Sequence, residues 1–212
     1  MNRKITGVVM TGGQSSRMGS DKGLIMSNGM PWSKLAFNKL RTLGIPALVS
    51  INSAQRKNYS TIFSEGLLVD DCVDARGPLG GILSVHKSFP FTDLFILACD
   101  MKDMGIEHLQ VLYSSWMAGH NEYDIFLYRN EGQPEPLAAI YSAGLLDSLG
   151  TAGSQSGNYS MKGIIAKGKV FGLDVTKDMK RHFMNYNSPL ELQSSFILPA
   201  SPLSHIYGED VQ

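Results

Sequence analysis

Residues 10–23 read MTGGQSSRMGSDKG and directly follow an apolar run that contains Val8 and Val9. Such a run is typical of a buried parallel strand, and the paired glycines after it let the backbone turn sharply and approach a ligand closely. Consecutive N–H groups in such a turn form an anion-binding concavity, which nearby cations complete. The cations here are Arg17 and Lys22, so the stretch predicts a phosphate site at the end of a first strand.

This loop differs from two well-known nucleotide-binding motifs. A P-loop places its Gly-Lys pair before Ser or Thr, whereas Lys22 lies between Asp21 and Gly23. The dinucleotide fingerprint G-x-G-x-x-G is also absent, because the glycines of the loop do not have that spacing. The loop therefore indicates a phosphate site of another kind.

The composition narrows the class of protein. The chain has 212 residues with 19 basic and 19 acidic side chains, and no block of Lys and Arg that would follow a nucleic-acid backbone. Its two cysteines, Cys72 and Cys99, do not make a disulfide framework. No apolar stretch is long enough to cross a membrane, and the first residues lack the pattern of a signal peptide. We therefore expect a cytoplasmic protein that binds neither nucleic acid nor membrane.

Strand and helix patterns alternate along the chain. Predicted strands cover residues 4–10, 46–51, 67–69, 93–99, 123–128 and 137–141, and predicted helices cover 31–43, 55–63, 78–89, 106–117 and a short segment ending at 149. This alternation predicts an α/β fold, a single-domain doubly wound and mostly parallel sheet with helices on both faces. Residues 150–157 are predicted to be a mobile Gly/Ser-rich loop, and 196–212 are a tail without a recognisable pattern.

Polar side chains stand where the predicted strands end. In doubly wound sheets, ligands bind beyond the carboxyl ends of the strands, so one crevice could hold the loop 11–22 together with Asn52, Asp71 and Asp100. Asp100 follows a buried strand, where a carboxylate needs a partner, and a carboxylate is the ligand that Mg²⁺ prefers. The alternative is that Asp100 caps the following helix, although five residues separate it from Ile106.

Five motifs in order resemble the molybdenum cofactor guanylyltransferase family, the MobA-like NTP transferases. The family loop LAGGxSxRMGxDK corresponds to MTGGQSSRMGSDK, followed by GPLGGI at 77–82, LACD at 97–100, EPLAAIY at 135–141 and NYNSPLEL at 185–192. The resemblance implies a Rossmann-like nucleotidyltransferase fold, with a catalytic domain over residues 1–195.

The resemblance also implies roles for individual residues. Lys22 would contact the phosphates, Arg17 would assist either on the phosphates or by holding the loop, and Asp100 would hold Mg²⁺ as the cofactor. The nucleotide-binding residues would be Met10, Thr11, Gly12, Gly13, Lys22, Asn52, Asp71, Gly77, Pro78, Leu79 and Asp100. Two assignments have alternatives: Asp70 or Asp74 could replace Asp71, and Asn52 could simply end a strand.

The motifs also bear on the choice of substrates. Guanylyl-transferring members carry GPLAG where this chain has GPLGG, which favours GTP over CTP. Asn185 and Asn187 resemble the pterin side of the family, because amide groups can both donate to and accept from a pterin edge, although this segment could equally begin a helix. Lys102 departs from the proline that the family usually has.

The resemblance thus implies transfer of GMP from GTP to molybdopterin, with release of pyrophosphate. The product would pass to molybdoenzymes or their chaperones. The alternatives are a cytidylyltransferase or sugar-phosphate nucleotidyltransferase on the same scaffold, or a catalytically silent nucleotide-binding regulator. The five histidines, His86, His108, His120, His182 and His205, have no metal-ligand spacing, and we expect them to be surface or structural residues.

Overall fold

A computed structural model describes residues 3–12, 21–73, 77–152, 160–184 and 186. Nine strands are described: β1 Lys4–Met10, β2 Met26–Ser27, β3 Met30–Pro31, β4 Ala47–Ile51, β5 Leu68–Asp70, β6 Thr92–Ala98, β7 Ile125–Asn130, β8 Gln133–Tyr141 and β9 Val170–Asp174. The described α-helices are α1 Trp32–Thr42, α2 Arg56–Tyr59, α3 Pro78–Ser88, α4 Ile106–Gly119, α5 Ala143–Ala152 and α6 Met161–Lys167. Turns of 3-10 helix cover Lys22–Leu24, Ser53–Gln55, Glu65–Leu67 and Lys177–Phe183.

Seven of the strands form one mixed sheet in the order β5-β4-β1-β6-β8-β7-β9. Strands β5, β4, β1 and β6 are parallel neighbours, as are β7 and β9, and β8 alone among the seven runs the other way. The two short strands β2 and β3 form a separate antiparallel ribbon. The predicted fold class, a doubly wound and mostly parallel sheet, is confirmed.

Helices cover both faces of the sheet, and each face has its own hydrophobic core. On one face, α1 contributes Ala36, Phe37 and Leu40, and α4 contributes Leu109, Leu112 and Trp116. On the other face lie Leu79, Ile82, Leu83 and Val85 of α3, Leu145, Leu146 and Leu149 of α5, and Ile164 of α6. Strand β1 serves both cores, because its side chains alternate between the faces. Its apolar residues are buried on both sides, which explains its almost continuous apolar sequence.

The helix predicted over 55–63 is much shorter in the structure. A 3-10 turn at Ser53–Gln55 leads into α2, which ends at Tyr59. The Ser60 hydroxyl donates to the carbonyl of Arg56, and the Thr61 hydroxyl donates to the carbonyl of Asn58. Side chains that bond to the local backbone in this way compete with continued helix.

The strand predicted over 137–141 begins earlier, at Gln133. Pro134 and Pro136 obscure this in the sequence, because proline is unusual inside a sheet. Glu131 and Gly132 both have positive φ, of 51° and 76°. They form a tight turn that joins β7 to β8 as a hairpin.

Other elements had no prediction. These are the ribbon of β2 and β3, helix α6, strand β9 and the 3-10 turns Lys22–Leu24, Glu65–Leu67 and Lys177–Phe183. The loop predicted at 150–157 begins later than expected, because α5 continues to Ala152; residues 153–159 lie outside the described part of the chain, as does the tail at 196–212. Within the described residues, no helix combines the length and apolar character needed to cross a bilayer.

Candidate active site

The predicted site residues that the structure describes gather at the carboxyl edge of the sheet. Strands β1, β4, β5 and β6 are parallel neighbours whose ends lie in register, with Met10 opposite both Ser50 and Ala98. Thr11, Asn52 and Asp71 each follow one of these strands directly, and Asp100 comes two residues after β6. Parallel pairing therefore brings together groups that are far apart in the sequence.

Lys22 and Asp100 are in direct contact at this edge. The Lys22 Nζ donates to Asp100 Oδ2 at 2.9 Å, across 78 positions of sequence. Their side chains retain 15% and 19% of their solvent exposure, so the ion pair is reachable from solvent but largely desolvated. A cation and a carboxylate held together in this way are suited to bind a phosphate and the metal ion that accompanies it.

Asp21 fixes the turn that presents Lys22. Its Oδ1 accepts hydrogen bonds from the backbone N–H of Gly23 and from the Tyr59 hydroxyl, both at 3.0 Å. Its Oδ2 accepts a hydrogen bond from the side-chain amide of Gln55 at 2.7 Å. Burial and the charge of Asp21 raise the pKa of Tyr59 far above its ordinary value, so the phenol stays protonated as a donor. Gly23 is required by this packing, because a Cβ there would lie 2.0 Å from the Tyr59 oxygen.

Asp21 lies within the loop motif, but no role was predicted for it from the sequence. The signal that could have found it is its position directly before the 3-10 turn Lys22–Leu24, where an Asp side chain favours capping. Its partners Gln55 and Tyr59 are contributed by the segment after β4 and could not be identified from the loop alone.

The end of β1 is tied to β4 through Thr11. The Thr11 hydroxyl donates to the carbonyl of Ser50 at 2.6 Å, and the backbone carbonyl of Thr11 accepts a hydrogen bond from the side-chain amide of Gln55 at 3.3 Å. Met10 lies in the hydrophobic core, whereas Gly12 is exposed at the strand end. Gly13 and Arg17, both predicted site residues, lie outside the described residues.

The structure distinguishes Asp70 from Asp71. Asp70 is committed to Arg56, whose Nη2 donates to Asp70 Oδ2 at 2.7 Å and whose Nε also contacts the carboxylate. Asp71 has no such cation in its described contacts. Partial desolvation raises the pKa of Asp71, a hydrogen bond from Ser84 acts in the opposite direction, and the charge of Asp70 raises the pKa by a smaller amount. Asp71 is thus the acidic group of the pair that remains available at this edge, and Asp74 lies outside the described residues.

Asp71 lies beside the start of α3. Gly77 precedes this helix with φ 72°, and Pro78 is its first residue, as the sequence predicted. A Cβ at Gly81 would lie 2.6 Å from Ser50 Oγ, 2.7 Å from Met10 Cε and 3.2 Å from Asp71 Oδ1. The helix therefore packs closely against the ends of β1 and β4.

Two predicted nucleotide-binding side chains have other contacts. Leu79 is 1% exposed and belongs to the hydrophobic core. Asn52 Oδ1 accepts a hydrogen bond from the backbone N–H of Gln55 at 3.1 Å. In return, the side-chain oxygen of Gln55 accepts a hydrogen bond from the backbone N–H of Asn52 at 2.9 Å. This capping box accounts for Asn52 by local structure, which was its alternative interpretation, and its contact with a nucleotide base remains a prediction.

The alternative that Asp100 caps α4 is wrong, because the residue before that helix is Gly105 and no side chain caps it.

Lys102, the departure from the family pattern, contacts Asp103 at 2.9 Å, and its Nζ lies 4.2 Å from the centre of the Tyr186 ring. Its carbonyl accepts the ammonium of Lys39 at 2.5 Å. Burial lowers the pKa of Lys39 to about 8.

Tyr186 closes this group of contacts. It is 2% exposed, its hydroxyl donates to Asp103, and its ring centre lies 6.0 Å from that of Trp32. The predicted pterin residues Asn185 and Asn187 lie on either side of Tyr186 in the sequence and outside the described residues.

A doubly wound sheet with a lysine and an aspartate meeting beyond its carboxyl edge defines an α/β protein with charged groups at the place where such folds bind their ligands. Comparison with known proteins narrows that class. Residues 7–170 match the family model described as the MobA-like NTP transferase domain, and the chain belongs to this family. It is therefore a nucleotidyltransferase.

The relatives match this chain over most of its length. The molybdenum cofactor guanylyltransferase of Pseudomonas fluorescens (strain Pf0-1) is 30% identical over 192 residues, covering 89% of this chain and 91% of the relative. That of Albidiferax ferrireducens is 28% identical, covering 89% and 93%. The crystal structure of molybdopterin-guanine dinucleotide biosynthesis protein A from Archaeoglobus fulgidus has the same fold, with a TM-score of 0.72 at 22% identity, covering 90% of this chain and 96% of that one.

Proposed function

We propose that this protein transfers the GMP group of GTP to molybdopterin and releases pyrophosphate. The observation that carries the proposal is the contact of Lys22 with Asp100, which joins a phosphate-binding cation to a metal-binding carboxylate at the sheet edge. The names of the relatives in Pseudomonas fluorescens and Albidiferax ferrireducens support guanylyl transfer and the molybdenum cofactor as its setting.

The reaction needs positioning and charge neutralisation more than a base. A phosphate oxygen of molybdopterin attacks the α-phosphorus of GTP, and the bond from that phosphorus to the bridging oxygen breaks as pyrophosphate leaves. Since the second pKa of such a phosphate is about 6, the nucleophile is mostly ionised at neutral pH. Lys22 would offset the negative charge that develops on the phosphates.

The chemistry of Asp100 fits Mg²⁺. Mg²⁺ uses one or two carboxylates and takes its other ligands from phosphates and water. Asp100 keeps 19% of its exposure and has a cation on one oxygen, so nucleotide binding could draw Lys22 to the phosphates and leave the carboxylate for the metal. Asp21 is a poorer ligand, because Gly23, Gln55 and Tyr59 already donate to it. When bound, Mg²⁺ would neutralise phosphate charge.

The start of α3 would receive the guanine base. Gly81 lets this part of the helix lie close to Asp71, and the Asp71 carboxylate is the kind of acceptor that the N–H groups of guanine require. GPLGG at this point is one methyl group from the GPLAG of guanylyl-transferring members. The product would then pass to molybdoenzymes or their chaperones.

The test is pyrophosphate release by the purified full chain with molybdopterin, Mg²⁺ and either GTP or CTP. We expect release with GTP, and a loss of at least about 100-fold in Asp100→Asn and Lys22→Gln, a magnitude typical of removing one electrostatic contact to the transition state. The exposed residues Asp174 and Lys57 supply matched controls, Asp174→Asn and Lys57→Gln, which should retain activity. Release with CTP and not GTP would identify a cytidylyltransferase, and binding without release would identify a regulator.

A further inference from the structure

Three metal-ligating side chains meet away from Lys22 and Asp100, where the start of α4 packs against the turn Lys177–Phe183. Each of Glu107, His108 and His182 offers one ligand atom, and these atoms all lie within 4.8 Å of one another. We propose that the three residues form a second metal site, for a Zn²⁺-like transition-metal ion. The site uses none of the residues assigned to the nucleotide.

His108 supplies the clearest sign that a ligand belongs here. Its Nε2 is buried and has no hydrogen-bond partner among the described residues. A buried polar atom without a partner is costly, so it requires a physical reason. Glu107 Oε1 lies 3.6 Å from this nitrogen, too far for a hydrogen bond but close enough to share a metal ion with it.

His182 is oriented as metal-binding histidines usually are. Its Nδ1 donates to the carbonyl of Asp103 at 2.9 Å, which leaves the lone pair of Nε2 to act as a ligand. Arg181 Nε donates to that Nε2 at 3.1 Å. Because Arg181 is exposed, its side chain can move into solvent when a metal ion takes the same lone pair.

Glu107 has room to complete the set. Its carboxylate lies over Gly105, where a Cβ would come within 2.0 Å of Oε1. Tetrahedral Zn²⁺ with bonds of about 2.1 Å separates its ligand atoms by roughly 3.4 Å. The Glu107 side chain is 66% exposed and can close the remaining gap by changing rotamer.

The donor set determines the class of metal. Imidazole nitrogen suits Zn²⁺ and its first-row neighbours, whereas Mg²⁺ takes carboxylate oxygen and water. Two histidines and one glutamate leave a fourth position on Zn²⁺ for water or an exchangeable ligand. An ion here would join α4 to the turn Lys177–Phe183 and, through Asp103, to the segment that contains Asp100.

The experiment measures Zn²⁺ binding to the purified, untagged and chelator-treated full chain, with Mg²⁺ in large excess and no nucleotide. Calorimetry gives the stoichiometry and affinity, and Co²⁺ substitution reports a four-coordinate site by its intense visible absorption. We expect one ion per chain. Glu107→Gln and His182→Gln should each weaken binding at least about tenfold, since loss of even an outer-shell partner costs about 10- to 100-fold.

Two control variants test whether the ion depends on these three side chains in particular. His120→Gln removes the histidine directly after the end of α4, and Asp100→Asn removes the carboxylate of the proposed nucleotide site; both should bind Zn²⁺ as the native chain does. Thermal unfolding without metal checks that each variant is folded. The proposal is overturned if no ion binds in excess Mg²⁺, if binding survives His182→Gln, or if Asp100→Asn abolishes it. Because no nucleotide is present, the result is independent of the proposed transfer reaction.

Discussion

At the residue scale, Asp21 determines where Lys22, the proposed phosphate-binding lysine, stands. Three donors converge on its carboxylate, from the Gly23 backbone and from the Gln55 and Tyr59 side chains. A carboxylate held in this way cannot easily rotate, so the adjoining Lys22 begins from a fixed backbone. The reach of Lys22 to Asp100 depends on that origin.

Tyr59→Phe should weaken this arrangement without removing the ring. The native hydroxyl is buried and donates to Asp21 at 3.0 Å, and a hydrogen bond to a charged group contributes about 1.5–3 kcal/mol. We expect the free energy of unfolding in urea to fall by about that amount, with a lower kcat/KM for GTP. Tyr113→Phe, on a half-buried tyrosine of α4, is the matched control. Equal stability of the Tyr59→Phe and native chains would contradict this account of Asp21.

At the scale of the element, the start of α3 is held in place by hydrogen bonds and by close packing. Ser84 holds it to the segment after β5, because the Ser84 hydroxyl accepts the amides of Cys72 and Val73 and donates to the carbonyl of Gly80. Gly81 then lies against the ends of β1 and β4. The helix has little freedom to shift.

Gly81→Ala is therefore expected to be harmful although alanine favours helix. The added methyl group would lie 2.6 Å from Ser50 Oγ, and overpacking of this kind costs about 1–3 kcal/mol against a propensity gain of about 0.5–1. Urea unfolding should show a net loss of stability, and GTP titration a weaker affinity. Gly80→Ala is the control, since the family pattern has alanine there; if both variants behave alike, the close packing at Gly81 is not the reason.

At the scale of the whole molecule, Asp93 links the helical layers on the two faces of the sheet. It is 2% exposed at the start of β6; its Oδ2 accepts the indole N–H of Trp116 in α4 at 2.8 Å, and its Oδ1 accepts the Ala143 amide of α5 at 2.9 Å. These helices belong to opposite cores. One carboxylate thus satisfies a donor from each layer.

Asp93→Ala should destabilise the whole domain. The buried indole N–H of Trp116 and the partly buried backbone N–H of Ala143 would lose their acceptor, at about 1–3 kcal/mol each, so we expect the free energy of unfolding to fall by about 2–6 kcal/mol. Asp174→Asn, at an exposed position, should change it by less than about 0.5 kcal/mol. Asp93 is at the opposite end of β6 from Asp100, so variant protein that remains folded at low temperature should still release pyrophosphate. A loss of stability below about 1 kcal/mol would contradict the linking role.

Much of the fold could be predicted because its signals are local. The apolar run before Thr11, the Gly77–Pro78 start of α3 and the apolar strand before Asp100 each specify an element within a few residues. The predicted bounds of α2 and β8 were wrong. Hydroxyl side chains that bond to the local backbone end α2 early, and two prolines hide the first residues of β8 in the sequence.

The candidate site was predicted less completely. The sequence indicated Lys22 and Asp100 as candidates, because Lys22 lies in a glycine-rich loop and Asp100 comes after an apolar run; their roles remain predictions. It gave no role to Asp21, left Asp70 and Asp71 as alternatives, and saw no metal-ligand spacing among the histidines. Each of these depends on a partner that is distant in the sequence or lies on another element.

By itself, the sequence determined the alternation of strands and helices, the glycine-rich turn after β1 and the family of the chain, since these depend on short-range patterns and ordered motifs. Only the tertiary structure decided that β8 is antiparallel to its neighbours, that Arg56 forms an ion pair with Asp70, and that the rings of His108 and His182 are in contact. Hydrogen bonds and ion pairs between distant segments form only when packing of the two cores brings those segments into contact. The pattern of either segment alone does not encode its partner.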